Sequence, residues 1–198
     1  MAERQVTVPK HHRNAAFPGR LHIIGGSLRG SRLAVPVLPG LRPTPQRLRQ
    51  TLFDWLAPVI AGANVLDAFA GSGALGIEAL SRGARAATFF ERDSAQAAAI
   101  EADLARLHQD GGKVRCVDAL QALAVPASER FDIALLDPPF DLALWEPAAA
   151  LLDAHGWLAP HALVYVEAGD ADGWNAPPGW QVNRQREAGA VRGTLFRV

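Results

Sequence analysis

Four consecutive residues, Asp137-Pro138-Pro139-Phe140, carry the most specific chemistry in this chain of 198 residues. Two prolines stiffen the turn, and Pro139 has no N–H to compete locally. The Asp137 carboxylate and the Pro138 carbonyl can then converge on one spot. Two convergent acceptors suit an exocyclic amine, which has two hydrogens to give. Holding both hydrogens aims the nitrogen at an electrophile, and Phe140 can stack on the flat ring that bears the amine.

A second cluster lies upstream. Gly71, Gly73 and Gly76 form G-x-G-x-x-G directly after the apolar run VLDAFA and ahead of a helical pattern. Glycines there let the backbone turn sharply and let a ligand lie against bare peptide groups. Glu91 follows Gly71 by 20 residues, and a carboxylate there can accept both hydroxyls of a ribose. These residues alone fit NAD, FAD or S-adenosylmethionine. Asp67, four residues ahead of Gly71, favours the last. A carboxylate beside the turn would repel a pyrophosphate, whereas an ammonium and a sulfonium would be drawn to it. Asp118 suits an adenine amino group or the N-cap of a short helix over 119–123, and the two roles are compatible.

The two clusters together describe one reaction. The amino group of a nucleobase is a weak nucleophile, because its lone pair is delocalised into the ring. S-adenosylmethionine offers an activated methyl group, and in-line placement lowers the barrier by proximity. A carboxylate that takes up the developing positive charge adds about 10²–10⁴-fold. A base stacked inside a duplex cannot enter such a pocket, so it must be flipped out or already unpaired.

Those side chains need a scaffold that brings strand ends together. From residue 64 the pattern alternates strand and helix. Strands are expected at 64–69, 86–91, 113–117, 131–136 and 162–167, and helices at 73–82, 94–108 and 142–155. The final segments, 181–187 and 192–198, read as an antiparallel pair. Such alternation gives βαβ units in an α/β fold, a parallel sheet with helices on both faces. Ligands bind that sheet beyond the carboxyl ends of its strands. Upstream, 21–24 and 32–35 read as two short strands around GGSLRG. Thr44 then serves as an N-cap with Pro45 at the first helical position. Leu48, Leu52, Trp55, Leu56 and Val59 recur at helical spacing over 45–60, with Arg47, Gln50 and Asp54 on the other face.

Composition narrows the function classes. The formal net charge is zero, yet residues 1–52 hold nine cations and one acid, and residues 53–198 hold eleven cations and nineteen acids. A basic segment joined to an acidic body suits a polyanion such as nucleic acid, and eight of the nine cations are arginine, which contacts phosphates bidentately. No run of about 18 apolar residues suggests a membrane span, and the N-terminus lacks the apolar core of a secretory signal. Cys116 is the single cysteine, which excludes an internal disulfide and a cysteine-based zinc site. It is expected to be a buried strand residue in a protein of the reducing cytoplasm, with no metal. The chain divides into a disordered basic arm at 1–19, a hairpin-and-helix RNA-binding extension at 20–60, and a cofactor-binding domain at 61–198.

The stretch LDAFAGSGALGIEALSRGA resembles motif I of class I S-adenosylmethionine-dependent methyltransferases, and DPPF resembles motif IV of their amino-methylating branch. With the IIGGSLRG and LRPTPQRLRQTLFDWL blocks, the chain is similar, from about Leu21 to its end, to the bacterial RsmD-type 16S ribosomal RNA guanine-N2 methyltransferases. The resemblance implies a Rossmann-like, doubly wound sheet of seven mostly parallel strands with the last antiparallel, and S-adenosylmethionine as methyl donor. It implies a guanine N2 of 16S ribosomal RNA in the small subunit as acceptor; no membrane partner is expected, and the chain is expected to act as a monomer. By motif position it assigns Asp67, Phe69, Gly71, Gly73, Glu91 and Asp118 to the cofactor, and Asp137, Pro138 and Phe140 to the target base. Arg29, Arg42, Thr44 and Arg47 become RNA contacts, with Thr44 also close to the cofactor. The arm at 1–19 is longer than the family core needs. An adenine-N6 methyltransferase is the nearest rival, although a sequence-specific DNA enzyme would need a recognition domain for which there is no room. A nicotinamide oxidoreductase would leave DPPF and Asp67 without roles, and a bare RNA-binding module would not need the glycine turn.

Overall fold

Short runs of apolar residues flanked by glycine and acidic turns build the centre of the molecule. The structure is a computed structural model, and it describes residues 21–34, 46–169 and 173–198. The runs become β3 (Asn64–Asp67), β4 (Ala86–Glu91), β6 (Phe131–Leu136) and β7 (Leu158–Gly169). They lie in a seven-stranded sheet with β5 (Gly112–Cys116), β8 (Gln181–Ala188) and β9 (Val191–Arg197). The order is β5-β4-β3-β6-β7-β9-β8. Strands β5, β4, β3, β6 and β7 run parallel, and β9 alone opposes them, wedged between β7 and β8. This is the doubly wound architecture expected from the sequence, last strand included. The inner strands β3, β4 and β6 are buried on both faces, as parallel strands covered by helices must be.

Each face has its own apolar layer. On one, Val65, Phe89, Ile133, Leu135, Tyr165 and Leu195 meet α1 (Gln46–Leu56), α2 (Ala74–Ser81) and α3 (Ser94–Arg106). On the other, Leu66, Phe90, Ala134, Val164 and Phe196 meet α4 (Ala119–Leu123), α5 (Trp145–Ala154) and Trp157. Gly76 sits on α2 where the helix crosses β4; a Cβ there would fall 2.1 Å from the Phe89 ring, so only glycine lets helix and strand approach this closely.

The N-terminal segment is clamped onto α2 and α3. Strands β1 (Leu21–His22) and β2 (Arg32–Leu33) pair antiparallel around the turn. Buried Glu78 of α2 accepts from Ile24 N (2.7 Å), Gly25 N (2.8 Å) and Arg82 Nε (2.8 Å). Ser81 Oγ donates to Gly25 O and accepts from Leu28 N, and Asp103 of α3 accepts from Ala34 N. Gly26 presses on Ser81 so closely that a Cβ would lie 1.8 Å from its carbonyl oxygen. Arg49 of α1 is buried against this clamp and donates to His22 O; burial lowers its pKa and the nearby Glu78 charge opposes the shift.

Several expectations are corrected. Cys116 is exposed, because β5 is the edge strand and its end faces solvent. Val59 is exposed, because α1 stops at Leu56 and the chain turns before a further helical repeat can be buried. The third helix expected over 142–155 begins only at Trp145, after a single 3-10 turn at Phe140–Leu142 and the left-handed Ala143. Strand β7 starts before 162, at Leu158, and carries a register irregularity near Pro160 and His161, where a proline cannot join the ladder. The arm at 1–19 and the residues Arg42, Thr44 and Pro45 lie outside the described residues.

Candidate active site

The sheet order turns back between β3 and β6, and a crevice at the carboxyl ends of the strands on either side of that point is where an α/β sheet takes its ligand. The acids picked out from sequence end their strands there: Asp67 on β3, Glu91 on β4, Asp118 just past β5 and Asp137 just past β6. Asp67 pairs across the sheet with Leu135 and Phe89, so the glycine turn and the DPPF turn leave the sheet side by side.

The glycine turn is built for a ligand. Gly71 takes φ +53° and Gly73 takes φ +72° as the residue before α2, both in the left-handed region that favours glycine. A Cβ at Gly71 would meet nothing within 4 Å, so the bare peptide faces open space. Glu91 is 8% exposed. Its Oε2 accepts from Gly71 N (2.8 Å) and its Oε1 from Asp93 N (2.7 Å). A carboxylate has about four lone-pair positions, so two remain after these bonds to receive a pair of hydroxyls. The residues present therefore fit an adenosine cofactor. Phe69, half-buried, packs on the α4–α5 side of the sheet, and Asp118 caps α4 by accepting from Gln121 N (3.1 Å).

Asp67 acts on the turn from beneath. It is 2% exposed, and its Oδ2 accepts from Gly76 N at 2.9 Å. Burial raises its pKa to about 7, the Gly76 bond opposes that rise, and the Asp137 and Glu91 charges add to it. From sequence its charge is expected to attract the cofactor; in the structure it also accepts from Gly76 N in the first turn of α2.

On the other side of the crevice, Asp137 is half-buried and Pro138 is buried. Phe140 is 36% exposed, and its ring centroid stands 5.7 Å from that of buried Trp145 at a tilt of 53°. Trp145 is itself fixed, since its indole N–H donates to Glu167 O at 2.7 Å. The exposed ring is thus held by a rigid neighbour and offers its free side to a flat partner.

Sequence reasoning missed Glu167 and Tyr165. Leu136 of β6 pairs with Val166 of β7, so Glu167, near the end of its strand, stands beside Asp137. Glu167 is 2% exposed and accepts from Tyr165 Oη at 3.1 Å. Burial first, and then the Asp137 charge, push its pKa up to about 9, with the tyrosine bond opposing. Burial foremost, then the Glu167 and Asp137 charges, raise the Tyr165 phenol well above its ordinary value. The available signal was Y-x-E at the end of an apolar strand, which puts both polar groups on one face.

The structure does not bring Arg29 to this crevice. Its turn is bonded to Ser81 at the far end of α2, about 12 Å of helix from the glycine turn. Arg47 is exposed on α1, whose Leu48 lies over Gly193 of β9. Among the described residues no helix is long and apolar enough to cross a membrane, and no three His, Cys, Asp or Glu side chains are grouped to hold a metal.

Comparison with known proteins adds a separate observation. Residues 21–197 match the family model described as Conserved hypothetical protein 95. Over 185 residues the chain is 45% identical to the ribosomal RNA small subunit methyltransferase D of Escherichia coli, covering 93% of each chain. Over 182 residues it is 39% identical to the protein of the same name from Haemophilus influenzae, covering 90% of this chain and 94% of the other. A solved structure of yhhF from Escherichia coli, described as a methyltransferase, superposes with a TM-score of 0.83 at 45% identity, covering 90% of this chain and 98% of that one.

Proposed function

The chain belongs to the Conserved hypothetical protein 95 family, that of the RsmD-type methyltransferases, and on that premise we propose that it methylates ribosomal RNA of the small subunit at the exocyclic N2 of one guanine, with S-adenosylmethionine as donor. The observation that carries the reading is a single carboxyl edge bearing both an open glycine turn tied to Glu91 and a rigid Asp-Pro-Pro turn with an exposed aromatic ring. When bound, S-adenosylmethionine supplies an electrophilic methyl group.

The protein's residues do the rest. Gly71 and Gly73 give the donor a bare backbone to lie on, and the remaining lone pairs of Glu91 receive the ribose hydroxyls. Asp67 keeps the turn in shape through Gly76 N. Phe140 stacks on the guanine, which has left its helix. The carboxylate of Asp137 and the carbonyl of Pro138 accept the two N2 hydrogens and orient the nitrogen lone pair toward the methyl carbon. Were the methyl group to pass to nitrogen, its bond to the donor sulfur breaking with the electron pair left on sulfur, Asp137 would stabilise the positive charge on nitrogen and take the proton that leaves. Glu167, beside Asp137, is held protonated by its burial and by the Asp137 charge.

Nucleoside mass mapping of 16S ribosomal RNA from cells with and without the gene tests this. Loss of one N2-methylguanosine is expected. Unchanged RNA would overturn the function, and loss of an N6-methyladenosine instead would overturn the choice of base.

A further inference from the structure

A base held at the catalytic edge arrives on a phosphate backbone, which needs cations along that edge. Arg29 sits at the opposite end of α2. Exposed Arg92 follows Glu91 at the catalytic edge, and further cations stand on β8, a strand with no motif in it.

Strand β8 is the outer strand of the sheet, and its residues from Gln181 to Glu187 are all exposed. Register decides which way its arginines face. Arg186 pairs with Gly193, and Gly193 pairs on its other side with Glu167. Arg184 pairs with Leu195, and Leu195 pairs with Tyr165. Cross-strand partners share a face, so both arginines stand on the face of Tyr165, Glu167 and α1. Strand β8 runs parallel to β7, so its carboxyl end, with Arg186, lies at the catalytic edge. Three strand spacings, about 14 Å, separate it from Asp137. Leu48 of α1 lies over Gly193, and a Cβ on that glycine would come within 3.0 Å of the Leu48 side chain. Arg47, the preceding residue, is exposed on the same turn of α1. Among the described residues neither Arg184 nor Arg186 pairs with a carboxylate, while Glu187, on the opposite face, is occupied by Arg192.

The geometry points to a phosphate-binding ledge formed by Arg184 and Arg186 of β8 with Arg47 of α1, which grips the RNA backbone flanking the extruded base. The inference rests on the RNA-methylating function proposed above. Guanidinium groups suit this task because they meet phosphate oxygens in pairs. Charged residues on an edge strand also discourage pairing with other strands. Reversing the sign separates the two roles: glutamates protect an edge as well as arginines do but repel phosphate.

The test uses the full chain and deproteinised 16S ribosomal RNA over a range of salt concentrations. Each phosphate contact contributes about one unit to the slope of log affinity against log salt. Arg184→Glu with Arg186→Glu is expected to lower that slope by about two and RNA affinity by about tenfold or more, with S-adenosylmethionine affinity by calorimetry unchanged. If that variant does not fold, Arg184→Gln with Arg186→Gln carries the same expectation on slope. Unchanged slope and affinity would overturn the ledge and leave the arginines as edge protection. A defect on assembled small subunits alone, with naked RNA bound normally, would assign the face to a protein and also overturn it. Failure of the wild-type chain to methylate ribosomal RNA in either form would overturn the proposed function itself.

Discussion

Two buried glutamates on the same side of the sheet are treated in opposite ways. Glu78 of α2 is fully buried, and three donors surround it: Ile24 N, Gly25 N and Arg82 Nε. Its charge is matched, and the match ties the N-terminal hairpin to the body. Glu167 is buried almost as deeply, receives one bond from a phenol, and faces the carboxylate of Asp137. Its charge is opposed, so its proton is held to about pH 9. A buried acid met by donors holds structure together; one placed against another acid keeps its proton to a higher pH.

The sharpest break between the two regions is expected from Asp137→Ala. Methyl transfer should fall by about 10²–10⁴-fold, from loss of the acceptor that takes the amine proton, while calorimetric affinity for S-adenosylmethionine survives. Normal turnover would remove Asp137 from the chemistry. Glu78→Ala should do the reverse. Removing one partner of a buried ion pair costs about 3–5 kcal/mol, so denaturant unfolding should show a large loss of stability, with the folded fraction still transferring methyl groups. Stability equal to wild type would mean that the clamp does not hold the hairpin.

A smaller effect is expected from Glu91→Ala, which removes both the ribose acceptor and the tether on Gly71 N. Affinity for S-adenosylmethionine should weaken by about ten- to a hundredfold, as loss of a charged hydrogen bond implies; unaltered binding would take Glu91 off the ribose. The smallest expected effect is on pH dependence. The folded-state pKa of Glu167 is raised from 4.5 to about 9, so the folded protein binds the proton more tightly than the unfolded chain. Its contribution to stability is complete below pH 4.5 and is lost as pH rises toward about 9. Asp67 adds the same sign of dependence between 3.8 and about 7. Glu167→Gln should flatten the decline in melting temperature on the alkaline side. A decline of wild-type steepness in that variant would locate its cause elsewhere.

Much of the edge was legible because its residues are local to strand ends. G-x-G-x-x-G directly after an apolar run can hardly do other than turn out of a sheet, and Glu91 and Asp137 end runs of their own. Glu167 and Tyr165 also end a run, but their meaning depends on which strand lies alongside. Cys116 belongs to a short strand that proved to be an edge, and Arg29 belongs to a basic segment folded back on the far end of α2.

Near neighbours in the chain determined the α/β alternation, the glycine turn, the rigid DPPF turn and the capping role of Asp118, since a turn or a cap needs only the geometry of a few consecutive residues. Only the tertiary structure decided that Glu167 stands beside Asp137, that Arg184 and Arg186 share its face, and that a glutamate of α2 holds the hairpin. Those outcomes depend on strand order and register, and these are settled by burial across the whole sheet.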